Sequence, residues 1–330
     1  MSELRWNPLL GEWVITATHR QDRTFLPPRD YCPLCPTRPG GVPTEIGRED
    51  FEIVSFENRF PSLRREPPVP AVDGTELTPV RPAAGVCEVV VYTPEHDATL
   101  AGASLARIER LIAVWAHRTV ELGARAEVAY VFVFENKGEV IGVTLHHPHG
   151  QIYAYPFVPP VIGREAKAGD DHAARTGACL WCDLAEQERG DRRRVLLESG
   201  AWLATVPFAA RWPYEVHLQP RRHVGWLHEL DAAERRDLAR VLRRTLRTYD
   251  ALFGFSLPYI MSIHQRPTDG PGRDAYHLHL EFYPPHRTES KLKYLAGSEA
   301  GAGAFINDTL PEETAARLRG VMPLDDGPDA

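Results

Sequence analysis

The segment Gly142-Val-Thr-Leu-His-His-Pro-His-Gly-Gln151 decides how the rest of the chain is read. Residues 147, 149 and 151 alternate, and a β-strand turns alternate side chains to one face. Two imidazoles and a carboxamide would then share one surface. A second H-x-H stands at His277-Leu-His279, and the same ordered features precede both. Cys32-x-x-Cys35, a strand ending near His96 and a long helix lead to His147-Pro-His149. Cys179-x-x-Cys182, a strand ending near His223 and a long helix lead to His277-Leu-His279.

The spacings agree as well as the order. Glu88 to His96 and Glu215 to His223 are both 8 residues; His96 to His147 is 51 and His223 to His277 is 54. Two copies are too few to stack as a solenoid, so the pattern predicts two similar modules, 1–165 and 166–330. The fold class is α+β, each module an antiparallel sheet with packed helices. Runs rich in β-branched and aromatic residues predict strands at 88–92, 127–134, 151–157, 214–218 and 277–283. Helical spacing predicts helices at 103–122 and 231–253, the second behind an Asp231 cap with Glu234 three residues on. A shorter helix is expected from Pro311. The proline-rich stretch 64–85 reads as a surface loop, and 159–178 as a linker.

Composition narrows the function. The 330 residues carry 38 Lys+Arg against 45 Asp+Glu, a formal net charge of −7. That balance argues against a nucleic-acid binder, which shows a basic face, but leaves room for one nucleotide. Neither a secretory signal nor a spanning run of about 20 apolar residues is visible. A cytoplasmic protein is expected, where C-x-x-C indicates metal or redox chemistry rather than a structural disulfide. The fifth cysteine, Cys87, sits in an apolar run and reads as core.

Cys32, Cys35, His96 and His147 form the donor set of a tetrahedral zinc site. Cys179, Cys182, His223 and His277 repeat it. A thioredoxin-like dithiol is the competing reading of Cys32/Cys35, but no βαβ pattern surrounds it. For the second set the competing reading is that His223 follows Arg221 and Arg222 in a solvated turn and leaves the thiols free. If His147 binds metal, His149 is the imidazole beside it, with Gln151 one step on. A neutral imidazole held rigidly is a good nucleophile toward phosphorus. On patterning alone, H-x-H is equally a two-ligand metal pair or two surface histidines.

Phe134-Glu-Asn-Lys-Gly138, Gly142 and His147-Pro-His-Gly-Gln151 together resemble the active-site signature of the galactose-1-phosphate uridylyltransferase family, within the histidine-triad superfamily. The resemblance runs nearly the whole chain, through Asn7-Pro-Leu, His19-Arg20 with Arg23, Phe56-Glu-Asn58-Arg-Phe-Pro, Pro94-Glu-His96, Trp212-Pro-Tyr-Glu, His264, His279-Leu-Glu-Phe-Tyr-Pro-Pro285 and Lys293. It implies two histidine-triad-like modules whose sheets join into one half-barrel-like sheet. The first would be catalytic; the second would carry a C-terminal segment that contacts the hexose. It implies ping-pong transfer from UDP-glucose to galactose 1-phosphate through a uridylyl-histidine at His149, with Gln151 on the phosphoryl oxygens. In the hydrolytic relatives a histidine holds the place of Gln151. Arg20, Arg23, Asn58, Asn136, Gly142 and Thr144 would bind the nucleotide and phosphates. Lys293, Tyr294 and Glu299 would reach the hexose across a homodimer interface. Zinc on the first Cys/His set would be structural, a second zinc would fill the other set, and iron stays open as the metal at either.

The sequence departs from the best-known bacterial pattern at four points. Arg59 stands where an Asp meets the ribose, and Ser298 where a Tyr lies near the sugar. A second metal site of Glu and three His is matched by Glu165, His264 and His279, but Glu281 replaces the third histidine. The second C-x-x-C set resembles relatives with zinc in both halves, so the second metal is expected on the cysteines. Two other functions stay open: an ADP-glucose phosphorylase-like adenylyltransferase, and a non-catalytic, zinc-stabilised nucleotide-binding protein.

Overall fold

The structure is a computed structural model and describes residues 2–22, 27, 31–270 and 272–324. The strands are β1 Ser2–Asn7, β2 Glu12–Ala17, β3 Val54–Glu57, β4 Val80–Pro82, β5 Val86–Val91, β6 Tyr130–Lys137, β7 His149–Tyr155, β8 Val195–Glu198, β9 Trp202–Thr205, β10 Val216–Pro220, β11 Tyr259–His264 and β12 His279–Tyr283. The helices are α1 Leu105–Gly123, α2 Pro160–Thr176, α3 Leu180–Asp191, α4 Ala232–Phe253 and α5 Pro311–Val321.

Nine strands form one antiparallel sheet in the order β3-β5-β7-β6-β11-β12-β10-β9-β8; β2-β1-β4 form a second, smaller sheet. The order of the large sheet reads outward from its centre as two copies. β6, β7 and β5 on one side answer β11, β12 and β10 on the other, and β6 pairs directly with β11. The sheet is open rather than a closed barrel. The expected repeat is therefore present, and its two sheets are continuous.

α1 and α4 lie on one face of that sheet and share one core. α1 begins at Ser104, whose hydroxyl accepts from Arg107 N–H, and buries Ile108, Leu111, Ile112, Trp115 and Leu122. α4 carries the Asp231–Glu234 capping box and buries Leu238, Val241, Leu242, Leu246 and Tyr249. Each such aliphatic side chain contributes about 1.5–3 kcal/mol on burial. The opposite face of the sheet around β7 stays accessible, and this is where His149 and Gln151 point.

The segment expected to be a linker is a helix, α2. Pro160 starts it, and Gly177 ends it in the left-handed region at φ 73°. Only Ile162, Ala166 and Gly169 of its length are buried, a stripe too narrow to stand out against its charges. The hairpin β1–β2, the strand β11 and the helix α3 are likewise additions to the sequence reading.

Candidate functional site

β7 places His149 on the accessible face of the sheet, and Pro148 forces the extended entry to it. The Nδ1–H of His149 donates to the backbone carbonyl of His147 at 2.7 Å. A carbonyl only accepts, so this bond fixes the tautomer: the proton is on Nδ1 and the lone pair is on Nε2. Two residues on, Gln151 Oε1 accepts from Asn58 Nδ2 and from the Tyr153 hydroxyl, each at 3.4 Å. With the oxygen so engaged, the amide presents its N–H₂ donors. Arg20 reaches the same network, its Nη1 3.3 Å from the Tyr153 hydroxyl. Sequence reasoning alone did not single out Tyr153. The alternation 149, 151, 153 would have found it.

Gly150 has a steric reason of its own. A Cβ there would come within 2.1 Å of the Tyr92 hydroxyl beneath the sheet. Glycine therefore lets the buried Tyr92 ring pack directly under the strand that carries His149. Gly138 and Gly142 bracket the turn before that strand with φ of 106° and 84°.

His149 lines two cavities. One, of about 540 Å³, includes Arg20, Leu34, Glu45, Phe56, Asn58, Arg59, Val89, Thr144 and Gln151. The other, of about 400 Å³, includes Asn136, Lys137, Gly138, Glu135 and His147. Of the expected nucleotide and phosphate residues, Arg20, Asn58, Asn136 and Thr144 thus line these cavities with His149. Gly142 shapes the turn before the strand. Arg23 lies outside the described residues. Lys293, Tyr294 and Glu299 line neither cavity. Lys293 is buried, with its Nζ 3.1 Å from Glu299 Oε1 and also donating to the Ile306 carbonyl. Tyr294 is exposed.

The first Cys/His set converges. The ligand atoms of Cys32, Cys35, His96 and His147 lie within 4.8 Å of one another. Cys35 Sγ is 3.4 Å from His96 Nδ1 and 3.5 Å from His147 Nδ1. The edge of a zinc tetrahedron with S and N ligands is about 3.5 Å, from bond lengths near 2.3 and 2.0 Å. His147 Nε2–H donates to the Thr93 carbonyl at 2.7 Å, which turns Nδ1 toward the sulfurs. Such an outer hydrogen bond is what orients metal-binding imidazoles. Burial lowers the His147 pKa and keeps the ring neutral, as a ligand requires. Burial, then the neighbouring Cys32, pushes the Cys35 thiol up to about 11, so that without a cation this thiol resists ionising.

The second set repeats this geometry. Cys182 Sγ lies 3.5 Å from His277 Nδ1 and 3.9 Å from His223 Nδ1. His277 Nε2–H donates to the Pro220 carbonyl at 3.0 Å, and His223 Nε2–H to the Asp274 carbonyl at 2.7 Å. The Cys182 thiol, then burial and His277, act on Cys179; the net effect holds it as a thiolate, with its pKa down to about 3. Both donor sets fit a tetrahedral zinc.

A third cluster brings together Glu165, His264, His279 and Glu281. His279 is the repeat counterpart of His149, and its Nδ1–H likewise donates to the carbonyl two residues back, at 2.9 Å. Unlike His149 it is buried, under Trp181 and against Glu165 from α2. Burial pulls its pKa down, but Glu281 and Glu165 outweigh that and lift it to about 9. His264, His279 and Glu281, with Glu165 from α2, thus offer a second donor set beside Cys179, Cys182, His223 and His277, where the sequence reading favoured the cysteines.

The profile of the galactose-1-phosphate uridyl transferase N-terminal domain matches residues 1–159, and that of the C-terminal domain residues 165–327. A galactose-1-phosphate uridylyltransferase from Thermotoga maritima is 43% identical over 97% of this chain and 98% of its own. A solved uridylyltransferase structure superposes with a TM-score of 0.86 at 38% identity, covering 97% of this chain and 98% of that one. An ADP-glucose phosphorylase from Arabidopsis thaliana, with bound ADP-glucose, gives a TM-score of 0.75 at 25% identity, over 98% of this chain and 100% of that one.

Proposed function

The chain belongs to the galactose-1-phosphate uridylyltransferase family, and from that premise we propose that His149 carries the uridylyl group between UDP-glucose and galactose 1-phosphate. The lone pair on His149 Nε2 attacks the α-phosphorus of UDP-glucose. The bond from that phosphorus to the bridging oxygen breaks, and glucose 1-phosphate leaves with the electron pair. A phosphate oxygen of galactose 1-phosphate then attacks the uridylyl-histidine, the N–P bond breaks, and UDP-galactose forms. The observation that carries this reading is the 2.7 Å bond from His149 Nδ1–H to the His147 carbonyl. It sets the nucleophile's tautomer and orientation before substrate arrives.

Gln151 donates its amide N–H to the phosphoryl oxygens, and Arg20 offsets their charge. No proton donor is needed for departure, because a phosphate monoester with a second pKa near 6 leaves as the dianion at neutral pH. A carboxamide therefore suits transfer, and it offers water no titrating acid or base. Asn136 and Thr144, with Gly142 in the preceding turn, line the path of the phosphates.

Zinc on Cys32, Cys35, His96 and His147 would anchor the start of β7 and hold His149 in place; its chemistry is structural. A second zinc on Cys179, Cys182, His223 and His277 would do the same for β12. The modules are 1–165 and 166–330, in a cytoplasmic homodimer. Support for the dimer comes from the exposed Tyr294, Leu295, Ile306 and Leu310 beside the Lys293–Glu299 pair, apolar surface that a second subunit would cover while bringing that segment to the hexose. Among the described residues no helix is long and apolar enough to cross a membrane.

Intact mass after incubation with UDP-glucose tests this function. The protein is expected to gain one uridylyl group, and galactose 1-phosphate to remove it. His149→Ala is expected to gain none while its melting temperature stays within about 2 °C, since exposed-face substitutions away from caps and cores cost little. A gain of adenylyl but not uridylyl mass, with ADP-glucose as competitor, would transfer the assignment to the second reading that Arg59 motivates.

A further inference from the structure

The larger cavity at His149 has an apolar floor with one acid above it. Phe56 on β3, Val89 on β5 and Gln151 on β7 are successive register partners. Neighbouring strands lie about 4.8 Å apart, so the floor extends two strands, roughly 10 Å, from the strand that carries His149. On the function proposed above, on which this inference rests, a nucleoside extends over that floor from a phosphate held at His149.

A ribose offers two adjacent hydroxyl donors, so the cavity must supply an acceptor. Most of its polar groups are committed or cannot accept. Asn58 Oδ1 takes the Phe60 N–H at 2.9 Å, and its amide donates to Gln151. The Tyr31 hydroxyl donates to the Pro43 carbonyl at 3.2 Å. Arg20 and Arg59 are donors only. Glu45 is the one carboxylate among the described lining residues.

Glu45 is also held in place. The Thr44 hydroxyl donates to the Cys35 carbonyl at 2.7 Å, Glu45 N–H donates to the Pro33 carbonyl at 3.0 Å, and Ile46 is buried. This ties the Glu45 backbone to the C-x-x-C loop. Its side chain pairs in turn with Arg59, with Nη1 3.2 Å from Oε1. A carboxylate has about four acceptor positions, and one arginine N–H leaves the others for ligand.

We infer that Glu45, oriented by Arg59, accepts the ribose hydroxyls of the donor nucleotide and makes the enzyme select ribonucleotides over deoxyribonucleotides. Arg59 then acts at one remove, as a positioning residue.

The test compares UDP-glucose with its 2′-deoxyuridine analogue in wild type, E45Q and R59A. A hydroxyl bonded to a charged acceptor is expected to separate the two donors by about tenfold to hundredfold in kcat/KM in wild type. E45Q is expected to lower kcat/KM for UDP-glucose by more than for the deoxy donor, which retains only the 3′-hydroxyl, and to bring the ratio toward one. R59A is expected to reduce the ratio part of the way. A merely structural Glu45 would weaken both donors alike and keep the ratio. Equal use of the two donors by wild type, or an unchanged ratio in E45Q, overturns the inference. Calorimetric binding of UDP and 2′-deoxy-UDP reads the same ratio without turnover. A protein that discriminates in binding yet forms no adduct fails the His149 reading alone; one that forms the adduct and binds both alike fails only Glu45. Unchanged metal content and melting temperature in E45Q certify its fold.

Discussion

Glu135, on β6 beside the strand that carries His149, is a carboxyl group nearly sealed from water. The Tyr259 hydroxyl donates to its Oε1 at 3.1 Å, while its Oε2 and the nearby Tyr92 hydroxyl have no protein partner. Burial raises its pKa from 4.5 to about 7, against the opposing charge of Lys137. Between those two pH values the folded protein keeps a proton that the unfolded chain releases. Stability therefore falls as pH rises through this window, by roughly 3 kcal/mol in total. E135Q cannot ionise, so it is expected to gain on wild type from pH 4.5 to 7 and to hold that gain above. Urea unfolding at pH 5 and pH 8 measures it; an equal difference at both pH values would show that Glu135 does not titrate in the fold. At this scale the sequence was most legible for His149 and Gln151, because alternation on one strand is a local property. Glu45 and Tyr153 were harder to see. Glu45 reaches the site through a loop that only the folded C-x-x-C segment orients.

Elements carry the candidate metal sites. The first Cys/His set joins a C-x-x-C loop, a residue following β5 and the entry to β7; the second joins the N-terminus of α3, a residue following β10 and the entry to β12. Cys32→Ser and Cys179→Ser are each expected to lower zinc content by one equivalent per chain and the melting temperature by on the order of 10 °C. Cys87→Ala, whose thiol packs with Leu63 and Tyr153 in a separate small core, is the control and is expected to retain both ions. Elemental analysis beside a thermal melt reads both effects, and full zinc in Cys179→Ser would shift the second metal to Glu165, His264, His279 and Glu281. The ligand sets were legible because cysteine pairs and spaced histidines have few alternative uses. α2 was not: its buried stripe is short, and Gly169 is small because the Trp181 ring lies 2.7 Å from where its Cβ would stand. That is a fact about packing with no periodicity to announce it. Through α2, Glu165 reaches His264 and His279, the repeat counterpart of His149.

The whole molecule is one sheet made of two copies. β6 hydrogen-bonds to β11 across the join, and α1 packs on α4 in a single core. The family profiles divide the chain between residues 159 and 165, but the packing does not. Fragment 1–159 would expose the β6 edge and the inner face of α1, and an unpaired apolar edge strand invites aggregation. It is expected to be insoluble or molten alone and to recover native near-UV circular dichroism when co-expressed with 160–330. A cooperative melt of the isolated fragment would show that each module is self-sufficient.

The sequence by itself determined the repeat, the α+β class, the donor sets and the strand that presents His149. Each of these rests on short-range order: alternation, helical spacing, capping residues, or residue types whose chemistry is specific. The tertiary structure alone decided which copy keeps its histidine accessible. His149 and His279 have the same local backbone bond, yet one faces a cavity and the other is packed under Trp181 and Glu165. Exposure depends on what other elements cover, and α2 sets Glu165 against His279. The same holds for Glu45, whose carboxylate gains a role when Arg59 and the floor of Phe56 and Val89 are assembled around it. Long-range packing sets that environment, and local sequence does not encode it.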